Sequence, residues 1–242
     1  MSCIHCKIPL DFDFTFAFQP IVDIKQNTIF AHEALVRGIH QESALEVLAH
    51  VTDTLRYSFD QKCRYRAIEL ISQLDPSATV SINFMPRAVY DPNVCIATTL
   101  EASETFHFPI EQIIFEVSEQ EKADDFSHIL SIFEAYKKMG FKTAIDDFGA
   151  GYSGLNFLAA FVPDLIKLDM MLIRDCHQSK KAQIILKHIS YMCRELGTDI
   201  IAEGVEKAEE LDFLTSIGIS KVQGFYFERP MFKKLSTYPK VL

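Results

Sequence analysis

Two acids stand side by side at Asp146-Asp147, and a glycine-rich stretch, Phe148-Gly149-Ala150-Gly151-Tyr152-Ser153-Gly154, follows them directly. Adjacent carboxylates repel one another unless cations neutralise them, and one member of such a pair can bridge two metal ions. Ions roughly 3.5–4 Å apart can clamp the attacking and leaving oxygens of an in-line phosphoryl displacement. Acids or amides also close five other short apolar runs, at residues 79–83, 113–116, 165–169, 199–203 and 221–223. Asn83, Glu116, Asp146, Asp147 and Glu203 offer only oxygen, with no Cys or His at a comparable place, which favours magnesium or manganese over zinc. Lys167 lies at another of these ends, suited to orient or deprotonate an attacking water or to stabilise developing charge. Glu33 and Arg37 share one face of a strand, roughly 13 Å apart at about 3.3 Å per residue. One could hold a metal while the other meets a substrate phosphate with its bidentate fork. The glycines permit close backbone approach to a ligand and a mobile lid.

The elements that must position these groups follow from the spacing. Helix-like segments separate the apolar runs, which is the layout of a parallel α/β barrel with its chemistry at the strand ends. The alternating run at 14–19 predicts a strand stopped by Pro20, and residues 29–37 a second. The polar segment 23–28 is short enough to make them an antiparallel pair. The fold expected is therefore a TIM-like (βα)8 barrel with one irregular antiparallel strand near the N-terminus. Ser43 is placed to cap a helix at Ala44. Further helices are expected over 53–73 (apolar stripe Leu55, Phe59, Cys63, Ala67, Leu70), 94–105, 124 or 125 to 139, 181–196 and 207–217. Phe12, Phe14, Phe16 and Phe18 read as a packed strand.

The 242 residues suit one barrel domain, 1–242, with 1–12 as a short extension and no fused sensor or cyclase domain expected. A net charge of −9 argues against binding to nucleic-acid polymers. Asp11 and Asp13 fall where a secretory signal would need apolar residues, and no apolar run approaches a membrane span. Six scattered cysteines give no disulfide framework, so the cytoplasm is the expected compartment. Cys3-x-x-Cys6 lacks the second pair that a zinc site needs. The histidines show no ligand spacing.

Taken in order, the motifs Phe18-Gln19-Pro20-Ile21, Glu33-Ala34-Leu35-Val36-Arg37, Ile82-Asn83, Phe115-Glu116-Val117-Ser118-Glu119, Asp146 to Ser153, Lys167-Leu168-Asp169, Glu203-Gly204-Val205-Glu206 and Gln223-Gly224-Phe225 cover nearly the whole chain. In this it resembles the EAL domain, the bacterial phosphodiesterase of cyclic di-GMP. The resemblance implies metal-dependent hydrolysis of cyclic di-GMP to linear pGpG by a water that two Mg2+ or Mn2+ ions activate. It implies that Glu33, Asn83, Glu116 and Asp146 ligate the first ion, and that Asp146 bridges to a second held also by Asp147 and Glu203. Lys167 then activates or orients the water with Gln223 nearby, and Glu119 anchors the glycine-rich loop. Asp169 and Glu206 fall at supporting positions, and Gln19 and Arg37 at substrate contacts. Three of these four have a plainer reading: Asp169 as a cap, Glu206 as a first-turn helix acid, Arg37 as a structural ion pair. Gly154 stands where the family often has a second Ser, and Gly38 where a bulky residue is common, departures that bear on loop stiffness and rate. The resemblance also implies a homodimer coupled to the loop after Asp147. The rival reading is a non-catalytic module that binds cyclic di-GMP or a protein partner; retention of every acid favours catalysis. A third reading is a barrel enzyme acting on another phosphodiester.

Overall fold

The computed structural model describes residues 8–119, 126–151 and 154–237. In chain order the elements are β1 (Phe14–Asp23), β2 (Thr28–Gly38), α1 (Ala44–Leu48), α2 (Arg56–Leu74), β3 (Val80–Asn83), α3 (Pro92–Cys95), α4 (Ala97–Phe106), β4 (Ile113–Ser118), α5 (Phe126–Met139), β5 (Lys142–Phe148), α6 (Gly154–Ala160), β6 (Leu165–Leu168), α7 (Met170–Ile173), α8 (Lys180–Leu196), β7 (Asp199–Ala202), α9 (Ala208–Ser216), β8 (Lys221–Val222) and β9 (Met231–Phe232). Strands β2 to β8 run parallel in sequence order. Strand β1 pairs antiparallel with both β2 and β8 and closes the ring, while β9 pairs with β1 outside it. The fold is thus an eight-stranded α/β barrel with one reversed strand, as the short polar connection at 23–28 implied.

Pro20 does not stop β1, which continues to Asp23. Its missing N–H costs no sheet bond to a second neighbour, because β9 pairs only at Ala17 and Phe18 and β8 only at Val22 and Asp23. The helix expected over 94–105 is two pieces, α3 and α4, meeting at Ile96. Asp91, followed by Pro92 at the first turn, caps the earlier piece through the Asn93 backbone N–H. Ser43 caps α1 as expected, and α8 ends before Gly197. The start expected for α5 at 124 or 125, like Cys3, Cys6, Tyr152 and Ser153, lies outside the described residues.

Strand alternation sorts the core into two layers. Outward side chains, among them Phe14, Phe16, Phe18, Ile82, Phe115 and Ile145, pack under the helices. Phe12 joins them against Phe14 and Phe59. Inward side chains Ile21, Ala31, Ile114, Ala144, Leu165 and Ile201 plug the barrel. On α5 the buried stripe is Ile129, Ile132, Phe133 and Tyr136. On α2 it is wider than its apolar spacing implies, because Ser58, Asp60, Gln61 and Arg64 are buried beside Phe59, Cys63 and Ala67.

The inner plug supports everything above it. Ile114→Ala removes a fully buried side chain from that layer, and it is expected to cost about 2–5 kcal/mol. Urea unfolding checks this: the midpoint should fall with the slope unchanged.

Candidate metal centre

Two residues along each strand from the apolar plug, the inward positions become polar. Ala31 gives way to Glu33, Ile114 to Glu116, Ala144 to Asp146, Leu165 to Lys167 and Ile201 to Glu203. Period-two geometry therefore delivers four acids and a lysine to the same height inside the barrel. Lys167, fully buried, places Nζ 2.8 Å from Glu203, 3.0 Å from both Glu116 and Asp146, and 3.4 Å from Glu33. Asn83 donates from Nδ2 to Glu33 Oε1 at 3.1 Å and to Glu116 Oε2 at 3.5 Å. Ser81 Oγ donates to Glu116 Oε1. Gln223 Nε2 donates to Glu33 Oε2 at 2.7 Å and Gln19 Oε1 at 3.2 Å, while Gln19 Nε2 donates to the Glu228 carbonyl at 3.1 Å. Asp147, at φ +55°, turns its carboxylate to accept from Ser118 Oγ at 3.1 Å.

Two groups of acids emerge. Glu33, Glu116 and Asp146 form one, and Asp146, Asp147 and Glu203 the other; within each, one oxygen per residue lies within 4.8 Å of the others. Asp146 belongs to both. Among the described residues, five carboxylates thus face one ammonium. Burial pushes the Glu116 carboxyl up to about 8, with Glu33 and Asp146 adding to the rise against the pull of Lys167. Burial raises Glu203 well above the usual carboxylate range, and it raises Asp147 with help from Asp146. For Lys167 burial opposes the charge, but the surrounding acids outweigh it and hold the amine protonated. The site is short of positive charge, and its free donors are hard oxygens. Gln223 Oε1 is buried and accepts no hydrogen bond among the described residues. These residues fit divalent cations and a water beside them.

A third group, Asp175, His177 and Glu210, differs in kind. Asp175 is paired with Lys207, and Glu210 accepts from the backbone N–H groups of Asp175, Glu206 and Lys207, so its oxygens serve the start of α9.

The glycine-rich loop is tied to the centre. Glu119 accepts from the backbone N–H of Gly149 (2.8 Å), Gly151 (3.3 Å) and Gly154 (2.6 Å), while its own N–H reaches the Asp146 carbonyl at 2.9 Å. A Cβ on Gly154 would lie 2.7 Å from the Phe148 ring, so glycine here follows from close packing. Gly224, just after Gln223, is more constrained: a Cβ would meet the Val205 backbone at 2.1 Å.

A cavity of about 430 Å3 opens above the acids, reached by Gln19, Glu33, Asp147, Glu203 and Gln223, with Arg174 and Phe225 further out. Another of about 700 Å3 includes His32 in its wall. His32 neighbours Glu33 in β2, but strand alternation sends their side chains to opposite faces, so that cavity is separate from the acids. Asp169 caps α7 through the Met171 N–H at 2.8 Å and also lines the acid cavity. Glu206 sits at its rim, two residues ahead of α9 and 3.9 Å from Arg174. Arg37 lies near the end of β2, its Nη1 on the Val36 carbonyl at 2.7 Å, outside the acid cluster. Ser81 and Ser118 were not singled out from sequence, though each lies two residues from a site residue on the same strand face. Arg174 carried no sequence signal.

The EAL domain family matches residues 10–230. The chain belongs to the EAL domain family. Among solved structures, a standalone versatile EAL protein from Vibrio cholerae O395 in its c-di-GMP-bound form is 48% identical with a TM-score of 0.93, covering 96% of this chain and 98% of that one. The Klebsiella pneumoniae BlrP1 manganese/cyclic di-GMP complex is 36% identical with a TM-score of 0.86, covering 91% of this chain and 56% of that one. Among curated relatives, the blue light- and temperature-regulated antirepressor BluF of Escherichia coli is 31% identical over 98% of this chain, and the cyclic di-GMP phosphodiesterase PdeR of the same organism is 35% identical over 63%. The chain spans 58% of the length of BluF and 23% of that of PdeR.

A carboxyl with a raised folded-state value stabilises the fold below its unfolded value and loses that contribution as pH rises through the folded one. Glu116 works in this way between about 4.5 and about 8. Buried His32, lowered to about 4, acts oppositely, but only below 6.5. In EDTA, stability should therefore fall from pH 6.5 to about 8 as Glu116 ionises, on the order of 1 kcal/mol per pH unit, and a thermal melt reads this as a lower melting temperature. Added Mn2+ should flatten that slope in a thermal melt, and so should Glu116→Gln in part.

Proposed function

We propose that this chain is a metal-dependent phosphodiesterase that hydrolyses cyclic di-GMP to linear pGpG. One observation carries the reading: two carboxylate groups that share Asp146, at the C-terminal rim of an EAL barrel. Glu33, Asn83, Glu116 and Asp146 would hold one divalent ion, and Asp146, Asp147 and Glu203 the other, with Mg2+ or Mn2+ suited to this oxygen set. When bound, the two ions lower the cost of ionising water and of building charge on the transferring phosphoryl group.

The chain's own residues supply the rest. Lys167, held protonated by the acids around it, hydrogen-bonds the water and offers positive charge to the developing oxyanion. Gln223 keeps Nε2 on Glu33 and Gln19, leaving Oε1 to accept a hydrogen from that water. Gln19 and Arg37 orient the dinucleotide, Arg37 by its fork on a phosphate. Glu119 couples the loop after Asp147 to the acids, with Asp169 and Glu206 as supporting groups. The water oxygen bonds phosphorus, one P–O3′ bond breaks, and a proton reaches the leaving oxygen. The same reading takes residues 1–242 as one barrel domain, working as a homodimer through the loop after Asp147. It places the protein in the cytoplasm, in keeping with free thiols at Cys63, Cys95, Cys176 and Cys193 and with no described helix long and apolar enough to cross a membrane.

A second reading has one specific support. BluF, named an antirepressor, matches nearly the whole chain, so an EAL barrel that binds the dinucleotide or a protein without cutting it is the alternative.

Incubation with cyclic di-GMP and either Mg2+ or Mn2+, followed by chromatography, tests the proposal. The expected product is linear pGpG. Glu33→Ala and Asp147→Asn are each expected to reduce turnover at least ~100-fold. Tight binding by a folded protein with no product under either ion would favour the second reading.

A further inference from the structure

Arg64 is fully buried in α2, outside the barrel, and none of its contacts reaches the acids. Its Nη2 lies 2.7 Å from Asp60 Oδ2, and its Nη1 donates to Tyr136 Oη at 2.7 Å. Its Nε has no hydrogen-bond acceptor among the described residues. Three aromatic faces surround the guanidinium instead: Phe115 at 5.0 Å, Phe84 at 5.4 Å and Tyr136 at 5.7 Å from ring centroid to Cζ. Desolvated cation–π contacts of this kind substitute for part of the lost hydration. A buried charge of this size is costly, and an apolar side chain would fill the space without that cost.

The placement of the rings gives the charge a purpose. Phe84 directly follows Asn83, and Phe115 directly precedes Glu116. Asp60 Oδ1, the other end of the ion pair, accepts from the Met85 N–H at 2.9 Å, and the Phe84 N–H reaches the Glu116 carbonyl at 3.1 Å. The guanidinium thus grips, from behind, the ends of β3 and β4 at the two residues flanking Asn83 and Glu116. Tyr136 ties the same group to α5.

We propose that Arg64 is a positioning residue for the metal centre: with Asp60 and Tyr136 it fixes the strand ends that aim Asn83 and Glu116 at the first ion. The inference rests on the reading in which those two residues hold a cation. A side chain that orients a ligand from outside the coordination sphere alters metal affinity, typically about 10–100-fold. A side chain that only fills the core alters stability and leaves affinity alone.

Metal affinity is therefore the discriminating measurement. Full-length chain freed of metal with EDTA is titrated with Mn2+, and the free ion is counted by electron paramagnetic resonance. Tyr136→Phe removes one hydroxyl, and Phe84→Leu removes one ring while leaving the ion pair intact. Phe133→Leu is the control: Phe133 packs 6.1 Å from Phe84 in the same aromatic cluster but does not contact the guanidinium face. Circular dichroism confirms that each variant is folded at the titration temperature. The expected result is a Mn2+ dissociation constant raised about 10-fold in Tyr136→Phe and Phe84→Leu, with Phe133→Leu lowering only the melting temperature. Unchanged affinity in the first two variants, or an equal loss in Phe133→Leu, overturns the inference. Failure of the wild-type chain to take up Mn2+ overturns the reading of the centre and this inference with it.

Discussion

Repulsion among crowded carboxylates governs the upper half of this barrel. Glu33, Glu116, Asp146, Asp147 and Glu203 occupy a space in which, among the described residues, Lys167 is the one ammonium, in contact with four of them. Like charges at this range in a poorly hydrated interior cannot all stay ionised without partners. The protein balances them by a buried lysine, by amide and hydroxyl donors from Asn83, Ser81, Gln223 and Ser118, and by partial neutralisation of Glu116 and Glu203. Every one of these devices is reversible. Added positive charge would relieve the remaining repulsion, which makes the arrangement a receptive one.

Holding such a site open requires rigidity beneath and behind it. The plug of Ile21, Ala31, Ile114, Ala144, Leu165 and Ile201 sets the height at which the polar layer begins. Behind β3 and β4, the aromatic cluster around Phe84, Phe115 and Tyr136 fixes the strands from the outside. Glycines complete the frame where backbones touch: Gly224 could carry no side chain against Val205.

Much of this was legible in the amino-acid order. Strand-end acids after short apolar runs are a local signal, because the period of two fixes the side of the sheet and the run length fixes the height. The antiparallel start was legible for a similar reason: a short, mostly polar segment between two strands leaves room for little besides a hairpin. Pro20 misled because its penalty depends on a neighbour strand that no local pattern reveals. The break at Ile96 was missed because the apolar spacing continues through it while Asp91 and Pro92 start the helix early. Arg64 and Asp60 were invisible for a deeper reason. Charged residues four apart on a helix ordinarily mark its wet face, and only tertiary packing against Phe84, Phe115 and Tyr136 of α5 turns that face inward. Arg174 reaches the cavity through a chain turn with no periodicity to report it.

The reversed first strand has an architectural consequence. In a barrel of uniform direction the chain enters at the floor, far from the catalytic mouth. Here Phe14 pairs with Gly38, at the same end as the acids. Polypeptide arriving at β1 therefore meets the barrel on the side that carries the acids. Phe12, just ahead of β1, accordingly packs beside α2 near that end.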